Sequence, residues 1–241
     1  DSYLTAPKYH FNSRAAYAFA ARFNLYYGQW QKAIDYATKS LGSAPSADLR
    51  NWPHYKTLSG LIDIHNAYIS SSEKANYMLQ TAYSSLGGLL SSSALRFNFG
   101  QLLIGKELFW APMPWGRGSQ NNTLYQARML YGKTQLTFFP KIMSEIQYTN
   151  AAKTAGYIHS LDAVFTADET LLVRAEAEIL LKNYTAALAD MNAWVVSHTE
   201  ETAGSATRPT LTEASINSFF NGLPTVPAKV MMDAQMGVKK P

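Results

Sequence analysis

The chain has 241 residues, of which 47% are hydrophobic and only 16% charged, with a formal net charge of +4 and a pI near 9.1. Its basic residues are scattered, and only Lys239 and Lys240 are adjacent. A nucleic-acid partner is therefore not expected, because such proteins cluster their cations. The absence of cysteine removes disulfides, thiol catalysis and Cys-ligated zinc, and no apolar run reaches the roughly 18 residues of a spanning helix.

Charge is replaced by Tyr, Ser, Asn, Thr and Gln, and aromatic residues make up 13%. A surface that is polar, weakly charged and rich in aromatic rings suits neutral polar ligands. The chain opens on Asp1-Ser2-Tyr3 and ends on Lys239-Lys240-Pro241, and it reads as a piece of a longer protein.

Residues 13–27 form an Ala-rich helical run with Ser13 as its expected N-cap. Gly28-Gln29 interrupts it. Residues 30–41 then place apolar side chains at 30, 33, 34, 37 and 41, a helical stripe stopped by Gly42 and Pro45. This is the layout of a tetratricopeptide hairpin. Ala21 and Ala33 fall where two helix backbones must approach closely, and Tyr17 falls at the first aromatic position. The same template fits 167–199, with Ala175 and Ala187 at the small positions, Tyr184 opening the second helix and Asp168 as expected cap. Trp30 and Trp194 are expected in the core. Two hairpins do not complete a solenoid, so further helical partners are expected.

Between the hairpins the pattern is weaker. Residues 54–69 read as a short helix or strands, 75–86 as an apolar–polar mixture, and 134–150 as a strand or an irregular run. The span 70–150 is a loop-rich insertion with glycines and prolines concentrated at 98–123. After residue 200 the chain is Thr/Ser/Gly-rich, with a short helix at 212–221 capped by Thr212.

No phosphate-binding glycine loop, G-x-S-x-G elbow or H-E-x-x-H pair occurs. Asp63-x-His65 sits in a mostly apolar run, and His65 reads as a structural or surface histidine and not a ligand. Glu176 and Glu178 lie on a repeat helix and read as solvated or packing residues. No catalytic residue, metal or cofactor is expected. A glycosidase would need two carboxylates about 5–10 Å apart, and no Asp or Glu lies between Phe109 and Tyr131.

The functional expectation rests on residues 109–122, FWAPMPWGRGSQNN. A sugar ring has an apolar C–H face and a rim of hydroxyls. Flat indoles cover the first, and amide or guanidinium groups satisfy the second. Trp110, Trp115, Arg117 and Asn121 are the candidate ligand-binding residues, with Tyr125 and Tyr83 as further candidates. Trp52 and Tyr77 are weaker ones.

The run FNSRAAYAFAARFNLYYGQWQKAIDYATKSL (11–41) and the segment ADETLLVRAEAEILLKNYTAALADMN (167–192) together resemble the signatures of SusD/RagB-like outer-membrane nutrient-binding lipoproteins of Bacteroidetes. NYMLQTAYSSLGG and FPKIMSEIQYTNAAKTAGYIHSLDAVF fit the family's order between them, so the resemblance spans about residues 5–195. It implies a mostly α fold, a SusD-like α/α superhelix of tetratricopeptide-like hairpins with a long loop-rich insertion. On that view residues 1–241 are a single domain, incomplete at both ends. It also implies a surface-exposed outer-membrane lipoprotein without enzymatic activity. Such a protein binds glycan, or in some cases peptide, and hands it to a SusC-like TonB-dependent transporter. Its only membrane attachment is a lipid anchor absent from this chain. The family's ligand contacts follow no fixed motif, so no binding residue is carried over. A peptide-binding or protein-docking hairpin module is the alternative reading.

Overall fold

The computed structural model describes residues 4–85, 108–117, 122–129, 137–201 and 207–224. It is mostly helical, and the chain forms two compact units. One holds 1–101 and 125–198, and the other holds 102–124 and 199–241.

The first unit is built on the two expected hairpins. Helix α1 is Ser13–Tyr26 and α2 is Trp30–Leu41. Gly28 and Gly42, at φ 77° and 74°, supply the left-handed turns that end each helix. Ala15, Ala21, Ala33 and Ala37 are fully buried, so the small side chains do set the crossing. Trp30 packs against this core partly buried. Ser13, however, is the first helical residue and not the cap. Asn12 caps, its side chain accepting from Ala15 N at 3.0 Å. Asn12 is preferred because its amide also donates to Pro7 O and Tyr77 O, at 2.9 and 2.7 Å, which a serine hydroxyl cannot do simultaneously.

Residues 54–69 resolve as helices, α3 (Trp52–Thr57) and α4 (Leu61–Tyr68). Strand β1 (Asn76–Tyr83) then pairs antiparallel with a long strand at 156–166. In the second unit, β2 (Pro112–Met113) pairs with β3 (Gly116–Arg117), and β4 is Thr123–Leu124. Back in the first unit, β5 (Arg128–Met129) pairs with β6 (Thr137–Phe138). Strand β7 (Glu145–Tyr148) turns into β8 (Gly156–Thr166), completing a three-stranded sheet in the order β1-β8-β7.

Strand β8 runs directly into α5 (Ala167–Leu180), which pairs with α6 (Tyr184–His198) as the second hairpin. Ala175 and Ala187 are buried as the template requires, and Trp194 is partly buried against the core. Asp168 is not the cap. Thr166 takes that place, accepting from Glu169 N at 3.2 Å.

Asp168 instead belongs to a buried charge network. Arg50, 3% exposed, donates from its guanidinium to Asn76 Oδ1 (2.8 Å), Tyr68 O (3.1 Å) and the Tyr55 hydroxyl (3.3 Å). It also lies 3.7 Å over the Tyr68 ring. Its Nε sits 3.6 Å from Asp168 Oδ2, and its backbone N donates to Asp168 Oδ1 at 3.0 Å. The other partner of Asp168 is His198 Nε2, at 3.2 Å. Burial pushes the Asp168 carboxyl upward in pKa, but the His198 bond and the Arg50 charge outweigh it and hold the group below its ordinary value.

The α5–α6 seam carries a second network. Arg174 donates twice to Asp190, at 2.7 and 2.8 Å. Glu178, 6% exposed, leaves Oε2 buried without a hydrogen-bond partner. Desolvation first, then the Asp190 charge, push its pKa up to about 7 despite Arg174. Glu178 is therefore a packing residue, while Glu176 is exposed.

The second unit also contains β9 (Thr199–Glu200), paired with β4, and helix α7 (Glu213–Asn221). Thr212 caps α7 in a capping box with Ser215. Among the described residues no helix is long and apolar enough to cross a membrane.

Two stability predictions result. Arg50→Ala leaves Asp168 buried opposite no guanidinium, and should cost about 3–5 kcal/mol by urea unfolding. Native Glu178 holds its proton to about pH 7, whereas the unfolded carboxyl loses it near pH 4.3. Native protein therefore binds more protons between those values, and stability falls as pH rises through that window. Glu178→Gln should remove this slope and gain up to about 3 kcal/mol at pH 8 relative to wild type. The check is a urea midpoint series from pH 4 to 8.

Candidate functional site

The expected ligand loop lies in the second unit. Pro112-Met113 and Gly116-Arg117 form a two-residue hairpin, Pro112 opposite Arg117 and Met113 opposite Gly116, with Pro114 and Trp115 at its tip. Proline at 114 fixes one backbone angle of the turn, so the tip presents Trp115 on a short and stiff support. Asn122 stands just before β4 with φ 53°. That left-handed conformation is one asparagine tolerates better than most residues.

Helix α7 supplies the opposite wall. Its capping box fixes where the helix starts, and from there Ser215, Ser218 and Phe219 fall on one face by the i, i+3, i+4 rule. These residues and the hairpin line a cavity of about 760 Å³ within this unit. That volume is in the range of about 300–1,000 Å³ typical of small-ligand pockets. Pro112, Met113, Pro114, Trp115, Phe219 and Pro209 give it apolar walls, while Asn122, Thr207, Ser215 and Ser218 give it neutral polar groups. Among the described residues that line it, none carries a charged side chain. Asn122 is 3% exposed, and its Oδ1 is buried with no hydrogen-bond partner. An orphaned buried acceptor is costly, and a ligand hydroxyl or N–H at the cavity wall would satisfy it.

Of the sequence candidates, Trp115 lines this cavity. Trp110 is half-buried in the turn leading to β2 and does not line it. Arg117 contributes its backbone to β3. Asn121 lies outside the described residues, although its neighbour Asn122 is in the wall. Tyr125 and Tyr83 belong to the first unit. The Tyr125 N–H donates to His198 O at 2.8 Å, and its ring lies 5.8 Å from Lys56 Nζ. Tyr83 is 79% exposed near the end of β1, edge-on to Tyr157 at 6.0 Å.

Tyr77 is no surface candidate. It is buried, its hydroxyl accepts from Arg14 at 3.1 Å, and burial, the largest influence, pushes its pKa up to about 12. Trp52 is half-buried in a separate apolar cluster with Tyr55 and Tyr68. Of Asp63-x-His65, Asp63 is exposed and His65 is structural. His65 is buried, with Nδ1 donating to Pro140 O at 2.8 Å and Nε2 3.1 Å from Glu145 Oε1. No group of three or more His, Asp or Glu side chains that could hold a metal is present among the described residues.

No protein-family model matches the chain, and no curated protein matches it. Among solved structures, the 1.70 Å crystal structure of a SusD-like carbohydrate-binding protein from Bacteroides vulgatus ATCC 8482 is similar over 86% of this chain, at 15% identity and a TM-score of 0.44. This chain spans 41% of the length of that protein. At such identity and score no residue role is transferred.

Because α7 forms one wall, its cap controls the site. Thr212→Ala removes the capping box and should cost about 1 kcal/mol of local stability. Hydrogen exchange at Ser215–Phe219 should quicken several-fold while α1 and α5 amides stay unchanged. Uniform change, or none, would show that the cap does not hold this wall.

Proposed function

We propose that this chain is part of a non-catalytic protein that binds neutral oligosaccharide at the cell surface, with the second-unit cavity as the sugar site. The observation that carries this reading is the make-up of that cavity. Aromatic and proline surfaces at Trp115, Phe219, Pro112 and Pro114 are joined by uncharged hydrogen-bonding groups, and Asn122 holds an unused acceptor. Apolar walls with a few placed polar groups are the usual anatomy of a small-ligand site. A carboxylated or phosphorylated ligand would find no counter-charge among the described lining residues. Arg117 and Asn121 are further candidates on their hydrogen-bonding chemistry alone, and Trp110 is a candidate support for the loop.

Delivery of the bound glycan to a SusC-like TonB-dependent transporter, and attachment to the outer membrane as a lipoprotein, come from the resemblance of residues 11–41 and 167–192 to the SusD/RagB family. The hairpins then serve as scaffold and not as the ligand groove.

A second reading, protein docking, is favoured by one specific observation. The outer face of α1 and the turn after it carry an exposed aromatic ladder. Phe19, Phe23 and Tyr27 are 48%, 54% and 67% exposed, with ring centroids 6.2 and 5.7 Å apart along the series. Affinity electrophoresis through a panel of neutral polysaccharides separates the two. Trp115→Ala and Phe219→Ala should each weaken retardation roughly tenfold or more, as loss of a large anchor ring does, while Phe23→Ser should leave it unchanged. Loss of retardation in Phe23→Ser alone would place glycan binding on the α1 face and count against the second-unit cavity. No retardation of wild type by any polysaccharide would count against the sugar site.

A further inference from the structure

A second cavity, in the first unit and independent of the sugar reading, has a different character. It measures about 290 Å³ and lies where the 3-10 turn Pro7–Tyr9, the start of α1 and the start of β1 meet. Among the described residues three cations line it, Lys8, Arg14 and Lys74, with one carboxylate, Asp48.

The carboxylates nearby are already engaged. Asp48 Oδ2 pairs with Arg14 at 2.6 Å, and that same guanidinium also donates to Ser40 O and rests 4.3 Å over the Tyr77 ring. Glu73 does not line the cavity. Its Oε2 accepts from the Tyr55 hydroxyl and its Oε1 from Ala75 N at 3.1 Å. What Lys8 receives from this segment is the Glu73 backbone carbonyl, a neutral acceptor, at 2.6 Å. An ammonium has three donors, so two remain. Lys74 follows Glu73 directly and is exposed. With Arg14 and Asp48 matched, the lining retains two positive charges, on Lys8 and Lys74.

We propose that this cavity is an anion site, taking one small oxyanion (a sulfate, a phosphate or a carboxylate) between the Lys8 and Lys74 ammonium groups. Burial lowers the pKa of Lys8, and the Glu73 charge only partly offsets this. That is the state of an ammonium short of counter-charge, and a bound oxyanion would supply it. Charge-assisted N–H···O bonds are about twice as strong as neutral ones, and the half-buried position shields the pair from solvent screening better than an exposed lysine would be. The site differs in kind from the second-unit cavity, whose described lining residues are uncharged.

The test is a sulfate titration of the full chain, read as backbone amide shifts at Lys8, Lys74 and Tyr77 at constant ionic strength with sodium chloride as control. Saturable shifts are expected at these residues. Lys74→Met, an exposed position that should fold normally, should weaken sulfate binding roughly tenfold, and Lys8→Met should do the same or more. Glucuronate in place of sulfate identifies the source: saturable shifts at the same residues assign the site to acidic sugars, and their absence assigns it to free oxyanions. Glucose is the uncharged control and should not move these amides, even if it binds the second-unit cavity. Non-saturable shifts equal to those in chloride, or sulfate affinity unchanged in Lys74→Met, would overturn the proposal.

Discussion

A guanidinium in a protein interior has to be matched, and the match for Arg50 organises the whole first unit. Arg50 draws on the end of α4 through Tyr68 O, on the first residue of β1 through Asn76, and on the start of α5 through Asp168. Asp168 in turn holds the last residue of α6, His198, whose ring stacks on Trp194 at 4.2 Å. The Arg50 carbonyl accepts from Ser197 of the same helix. One residue in the connection after the first hairpin thus fixes the second hairpin and the sheet. Such a pair contributes modestly to net stability, because both charges lose hydration, but breaking it is severe. Its role here is positional: it fixes where β8 ends and α5 begins.

The hairpins were legible because their signal is local. Ala21, Ala33, Ala175 and Ala187 recur at the spacing where backbones must touch, and all four are buried. The Thr212 cap was read correctly, but the other two cap assignments failed for a reason that local reading cannot see. Ser13 and Asp168 are both good cap residues. Asn12 displaced the first because it also bonds Pro7 and Tyr77, and Asp168 was drawn away by Arg50 and His198, leaving Thr166 to cap. In both cases long-range partners, not local preference, decided the cap.

The three-stranded sheet was hidden for a different reason. A half-buried strand should alternate buried and exposed positions. In β1 the burial is at one end: Asn76, Tyr77 and Leu79 are buried, and Gln80 to Tyr83 are exposed. A register irregularity near Met78 breaks the period further. In β8 the apolar residues Tyr157 and Ile158 are exposed, while the buried ones lie nearer α5. Neither strand writes a clean period of two. The candidate site was half legible. Trp115 and the proline-rich tip announce themselves in a few residues, but the facing wall comes from Ser215, Ser218 and Phe219, about a hundred positions later, in a helix that sequence marks only by its Thr212 cap.

The proposed function gives the hairpins the role of support and the small second unit that of recognition, through a cavity whose described lining is uncharged. The five indole N–H resonances, one for each tryptophan, report on this division directly. In a titration with neutral oligosaccharides, the account predicts that the Trp115 indole shifts saturably while those of Trp30 and Trp194, seated against the hairpin core, stay in place. A Trp115 resonance unmoved by every neutral oligosaccharide, while Trp30 or Trp194 responds, would contradict it.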